Sequence, residues 1–147
     1  MGISAIFPLT QLPQTALAKG YDEEIGSVNS ASESYRAVLK NKATFVSELA
    51  AEGSTSKLPP QVPAITFQKL AKVAHDVEGK IEADDFPYLA VEYAELAGAA
   101  RDYFKLAKLG RVGENGGPEV ALEYAQQCVA KLEEASVVLD TLLEAVQ

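Results

Sequence analysis

The sequence predicts an all-α fold, a four-helix up-down-up-down bundle with an extended N-terminal arm. Three observations predict it. Between Asp85 and Leu143 two long apolar-periodic runs are each opened by a proline and are separated by one short glycine-rich break, the pattern of an antiparallel helix pair. Two further runs of helical period precede that pair, and the four have matched lengths, rods of roughly 30 to 40 Å at 1.5 Å per residue. The connections at Asp84 to Pro87 and Gly110 to Pro118 are short, which makes sequential neighbours antiparallel. The expected organisation is an arm over residues 1–28 and a bundle over 29–147, with helices at about 30–52, 64–84, 87–109 and 118–146.

The arm carries Ile3, Ile6, Phe7, Leu9, Leu12 and Leu17 without helical period, and Pro8 and Pro13 favour extended backbone, laid on the bundle or on a partner, with a disordered leader as the alternative. The first helix is expected to start at Ser30. Ser30 and Glu33 have the spacing of a capping box, in which each side chain satisfies a backbone N–H left free at the helix start. Tyr35, Val38 or Leu39, Phe45 or Val46, and Leu49 form its core stripe, and Gly53 ends it. From Ser54 to Pro63 three prolines and three hydroxyl residues forbid a helix and predict a loop or strap.

The second helix places Phe67, Leu70, Val73 or Ala74, Val77 and Ile81 inward, with Lys69, Lys72, Asp76, Lys80 and Glu82 on the wet side. In the third, Leu89, Tyr93, Leu96, Ala100, Tyr103 or Phe104, and Ala107 recur at steps of three and four. Pro87 suits its first turn, Asp84 and Asp85 suit its positive end, and Gly110 stands where a left-handed C-terminal residue is wanted. Gly117 and Pro118 open the fourth. Its stripe is Leu122, Ala125, Val129, Leu132, Ala135 or Ser136, Leu139 and Leu142 or Leu143.

Composition narrows the classes. With 147 residues and 48% hydrophobic content, the chain suffices for one domain burying roughly two thirds of its unfolded surface. A net charge of -8 argues against a nucleic-acid partner, which needs a net basic surface or a dense basic stripe, and against anionic lipid. Residues 1–20 lack the basic start and unbroken apolar core of a signal peptide, and they cannot span a bilayer. Gly2 lacks the Ser or Thr four positions on that myristoylation expects, since Ile6 stands there. The expectation is a cytosolic protein or a processed form.

No residue set announces a reaction or a cofactor. The single histidine, His75, has Lys72 three residues before it, so the Glu-x-x-His spacing of di-metal bundles fails; with Glu78 and Glu82 it falls near one helix face, which reads as a solvated polar face with an adventitious ion as the alternative. Cys128, the single cysteine, has no basic cluster or helix N-terminus beside it and reads as a small packed hydrophobe. The glycines of GRVGENGGP follow no strand and precede no Lys-Ser or Lys-Thr, so they are helix punctuation and not a phosphate loop. Glu133 and Glu134 are adjacent on a helix and diverge. Arg101, Lys105, Lys108 and Arg111 recur at steps of four, three and three in an otherwise acidic chain. Part of this complements a helix C-terminus, and part fits a docking face for an acidic partner surface. Tyr88, Tyr93, Tyr103 and Tyr124 are core candidates with polar tips, and any that faces outward suits an interface.

The stretch FPYLAVEYAELAGAARDYFKLAKLGR, followed by GGPEVALEYAQQCVAKLEEASVVLDTLL and preceded by a proline-containing arm, resembles the PsbQ-like extrinsic proteins of photosystem II, algal type. The resemblance covers about residues 30–147. It implies a non-enzymatic subunit on the lumenal face of photosystem II that stabilises the oxygen-evolving centre and helps retain calcium and chloride. It further implies a place in the chloroplast thylakoid lumen, peripheral on the membrane and without insertion into it, with photosystem core or antenna subunits as partners. The contact elements it points to are the arm, with Ile6, Phe7, Leu9 and Leu12, and the basic stripe of Arg101, Lys105, Lys108 and Arg111. An antenna-linker subunit of photosystem I and a cytoplasmic helical adaptor are the other classes the sequence leaves open.

Overall fold

The structure, a computed structural model, describes residues 20–110, 112 and 114–147. Among these the chain is all-α: five helices pack together without a strand. Helix α1 is Asp22–Lys40, α2 is Lys42–Ala50, α3 is Ala64–Leu70, α4 is Phe86–Leu109 and α5 is Pro118–Glu144. The long α5 is the hub. It packs along α4 on one side and against α1 and α2 on the other, while α3 bridges α4 and α1. Its inner face is almost wholly apolar, with Ala121, Ala125, Cys128, Leu132, Ala135, Leu139 and Leu142 all buried.

The first helix starts eight residues before Ser30. Asp22, Glu23 and Glu24 occupy its first turn and complement the positive helix end. Ile25, Val28, Ser32 and Tyr35, at steps of three, four and three, are buried and extend the core stripe back through the segment expected as arm. Ser30 therefore caps nothing. Its carbonyl accepts a bond from Ser34 Oγ, and Glu33 accepts one from Asn29 instead of reaching back to Ser30. The same helix is broken at Asn41, whose φ of -122° and ψ of 43° turn the chain between α1 and α2.

The larger departure follows α3. The expected helix over 64–84 ends at Leu70; Val77 and Ile81 pair across a tight loop in which Gly79 takes φ +77°, and a single 3-10 turn at Ala83–Asp85 leads into α4. Asp76 accepts the Ala83 N–H at 2.7 Å, and the His75 N–H donates to the Ala145 carbonyl at 2.8 Å. The first closes the loop on itself and the second ties it to the residue after α5, and these bonds stand in place of helical ones. The residues expected to face inward do so, Phe67 and Leu70 buried on α3, but Val73, buried, and Val77 and Ile81, half-buried, do so from the loop that follows it.

Helices α4 and α5 have the expected bounds to within two residues. Gly110, however, has φ of -63°, not a left-handed value. It is glycine because of crowding: a Cβ there would lie 2.9 Å from Leu106 O and 3.3 Å from Ala121 Cα. The Leu122 side chain expected in the core is exposed, and Ala121 takes its place.

Candidate functional site

The site is built on α4 and begins with the strap. Residues 54–63 run antiparallel to α4 and are pinned to it three times: Lys108 Nζ donates to Ser56 O, Gln61 Nε2 to Ala97 O, and the Val62 N–H to Tyr93 Oη. The six residue steps from Ser56 to Val62 thus match the fifteen from Lys108 back to Tyr93, about 20 Å of extended chain against about 22 Å of helix. The strap is accordingly extended. It delivers Pro63 and α3 to the N-terminal half of α4.

There α3 and α4 leave an open groove of about 440 Å³, walled by Val62, Ala64, Phe67, Gln68 and Ala71 on one side and by Pro87, Ala90, Val91, Ala94 and Glu95 on the other. Its lining is apolar except for Gln68 and Glu95. The floor rests on aromatic packing, since Phe67 meets Phe86 at 6.2 Å and Tyr93 at 5.5 Å, both edge-on, and Tyr93 meets Tyr35 at 6.2 Å. The hydroxyls of Tyr35 and Tyr93 are 3.2 Å apart in the core, and burial together with that neighbour raises the Tyr35 pKa. A rigid floor therefore underlies a face that solvent reaches: Val91 is 58% exposed, and Ile65 on α3 is 55% exposed.

The cations expected at a docking face lie further along the same helix. Arg101, Lys105 and Lys108 are all exposed. Five ion pairs form among the described residues, and three of them tie α5 to its neighbours: Arg36–Asp140, Lys42–Glu133 and Lys80–Glu144. Arg101 and Lys105 take part in none of the five. Lys108 is committed to the fold, holding the strap through Ser56 and lying 4.6 Å from the Phe104 ring centroid. Arg111, Ile6, Phe7, Leu9 and Leu12 lie outside the described residues. Sequence reasoning missed the groove, whose α4 wall was legible only as residues left off the core stripe.

The remaining candidates are structural. His75 is half-buried on the loop after α3 and not on a helix face; its two ring nitrogens meet Asp76 O at 2.9 Å and Gln147 O at 2.8 Å, tying the loop to the end of α5. Among the described residues no group of three His, Cys, Asp or Glu side chains is placed to hold a metal ion. Cys128 is fully buried, and burial pushes its thiol up to about 12. Tyr103 and Tyr124 stack at 6.2 Å across α4 and α5, whereas Tyr88 points outward and is 76% exposed. No described helix is long and apolar enough to cross a membrane. Comparisons with protein-family models, with curated proteins and with solved structures find no match.

Proposed function

We propose that the chain is a non-enzymatic extrinsic subunit of the PsbQ-like kind, docking on the lumenal face of photosystem II and stabilising its oxygen-evolving centre. On this reading the fold is a four-helix bundle, with α1 and α2 the halves of one broken helix and α3 with its loop standing as the second. The observation that carries the docking part is the outward face of α4. It is apolar and open beside α3 and then cationic at Arg101 and Lys105, neither of which joins an ion pair among the described residues, in a protein whose net charge is -8. Such a face suits association steered by an acidic partner and weakened by salt. The photosystem and the lumen come from the resemblance of residues 30–147.

The test is rebinding of the tagged chain to salt-washed thylakoid membranes, followed by detergent extraction, absorption spectra and a salt series. Recovery of a chlorophyll-containing complex rich in photosystem II, released as salt rises, is the expected result. Recovery of photosystem I would transfer the subunit to that complex. Recovery of the chain alone, or with colourless soluble proteins, would overturn the reading in favour of a helical adaptor.

A further inference from the structure

We propose that the outward stripe of α4 is a track for one amphipathic helix of a partner protein, whose large apolar side chains fill the groove and whose carboxylates meet Arg101 and Lys105. The inference deepens the docking function and rests on it for the identity of the complex, though not for the chemistry of the track.

Pro87, Val91, Ala94, Gly98, Arg101 and Lys105 follow one another at steps of four, three, four, three and four, so they share one line down α4. The line is about 27 Å long. Geometry supports the shared face independently of spacing: the Arg101 guanidinium lies back over Gly98, 3.9 Å from where a Cβ would be. The first half of the line is a wall of the groove, and the second half presents cations with no ion pair among the described residues. One surface thus has an apolar end and a cationic end in fixed order.

Charge complementarity selects the occupant. A partner segment needs carboxylates opposite Arg101 and Lys105, and the chain's own residues 1–19 contain no Asp or Glu. A second copy carries the same net charge of -8 and is repelled. A small apolar ligand fits a groove of this size but leaves the cations unused, because Lys105 stands about 16 Å along the helix from Ala94. A helix fits both halves. Laid against α3 and α4, it presents side chains at three- and four-residue spacing over the whole line, the helix-in-groove mode.

The experiment uses the full chain and a fluorescein-labelled 21-residue helical peptide, with leucines at three- and four-residue spacing over one half and glutamates on the same face over the other, made in both sequence directions. One direction is expected to raise the anisotropy. Val91→Asp should weaken that binding at least tenfold, as should Arg101→Glu combined with Lys105→Glu, and a peptide with lysines for the glutamates should not bind. These positions are exposed, and circular dichroism checks each variant; Ala94→Glu replaces Val91→Asp if that variant loses helicity. Absence of binding in both directions, or binding indifferent to the variants or to charge reversal, overturns the track. So does uptake of the dye anilinonaphthalene sulfonate that Val91→Asp abolishes and the peptide fails to displace, which would make the groove a small-ligand pocket. The same variants in membrane rebinding separate the two proposals. Native rebinding that the variants leave unchanged sinks the track and keeps the docking function, whereas peptide binding without membrane rebinding sinks the photosystem reading and keeps the track.

Discussion

Tyr93 is the residue on which the site depends most. Its hydroxyl accepts the Val62 N–H at 3.2 Å and bonds the Tyr35 hydroxyl, so one oxygen ties the strap, α1 and α4 together. Tyr93→Phe leaves a backbone N–H and a buried hydroxyl without that partner and should cost about 2–3 kcal/mol. Tyr35→Phe leaves the Val62 bond intact and should cost about 1 kcal/mol. Urea midpoints at unchanged m measure both, and equal losses would contradict the anchoring of the strap by Tyr93. Cys128 supplies a prediction in pH. Its thiol has an ordinary value of 9.0 and is pushed up to about 12 by burial in the folded chain. Between those values the unfolded chain has released the proton and the folded chain retains it. Stability must therefore fall as pH rises from 9, with a slope approaching about 1.4 kcal/mol per pH unit. The raised Tyr35 hydroxyl adds a fall of the same sign above 10. Melting temperature followed from pH 8 to 10 should fall more steeply for the native chain than for Cys128→Ala; parallel curves would count against a buried neutral thiol.

At the scale of elements, legibility followed punctuation. Helices α4 and α5 were readable because Pro87, Gly110 and Pro118 mark ends that the chain cannot ignore, and the extended strap because Pro59, Pro60 and Pro63 forbid anything else. The loop after Leu70 was not readable. Phe67, Leu70, Val73, Val77 and Ile81 have the period of a helix and are at least half-buried, but the backbone bonds after Leu70 close a local turn between Val77 and Ile81, and one from His75 reaches Ala145 at the far end of the chain. The α1 start was misplaced because Ser30 and Glu33 match a capping box by spacing alone, while Ile25 and Val28 gain more by burial than a cap supplies. For the site, the cationic half was legible as charge on a period. The apolar half was not, since Pro87, Val91 and Ala94 become a groove wall only once the strap has brought α3 beside them. The α4–α5 corner allows a direct check of close approach. Gly110→Ala would press a methyl group against Leu106 O and Ala121 and should cost about 1–3 kcal/mol. Gly53→Ala, where φ is +68° in open space, should cost about 1–2 kcal/mol through backbone strain alone. Thermal melts measure both, and a Gly110→Ala variant as stable as the native chain would refute crowding at that corner.

For the whole molecule, the central question is which part of the chain folds and which part binds. The described core runs from Ile25 to Val146, and its first members hold α1 to its neighbours: Ile25 is buried, and Glu24 lies 3.7 Å from Lys69 of α3. Deleting residues 1–19 removes no described core side chain. If Ile6, Phe7, Leu9 and Leu12 are contact elements, that truncation should keep its melting temperature within about 2 °C while membrane rebinding weakens. Deleting residues 1–27 has a different physical content. It takes away Tyr21, the first turn of α1 and the buried Ile25, whose burial alone is worth about 1.5–3 kcal/mol, and should lower the melting temperature by roughly 5–10 °C. The pair of truncations therefore separates binding from folding at a boundary near Asp22, eight residues before the Ser30 start the capping box suggests. A short truncation that melts like the long one would place residues 1–19 in the fold. One that melts and rebinds like the full chain would remove the arm from the docking surface and leave α4 to carry it.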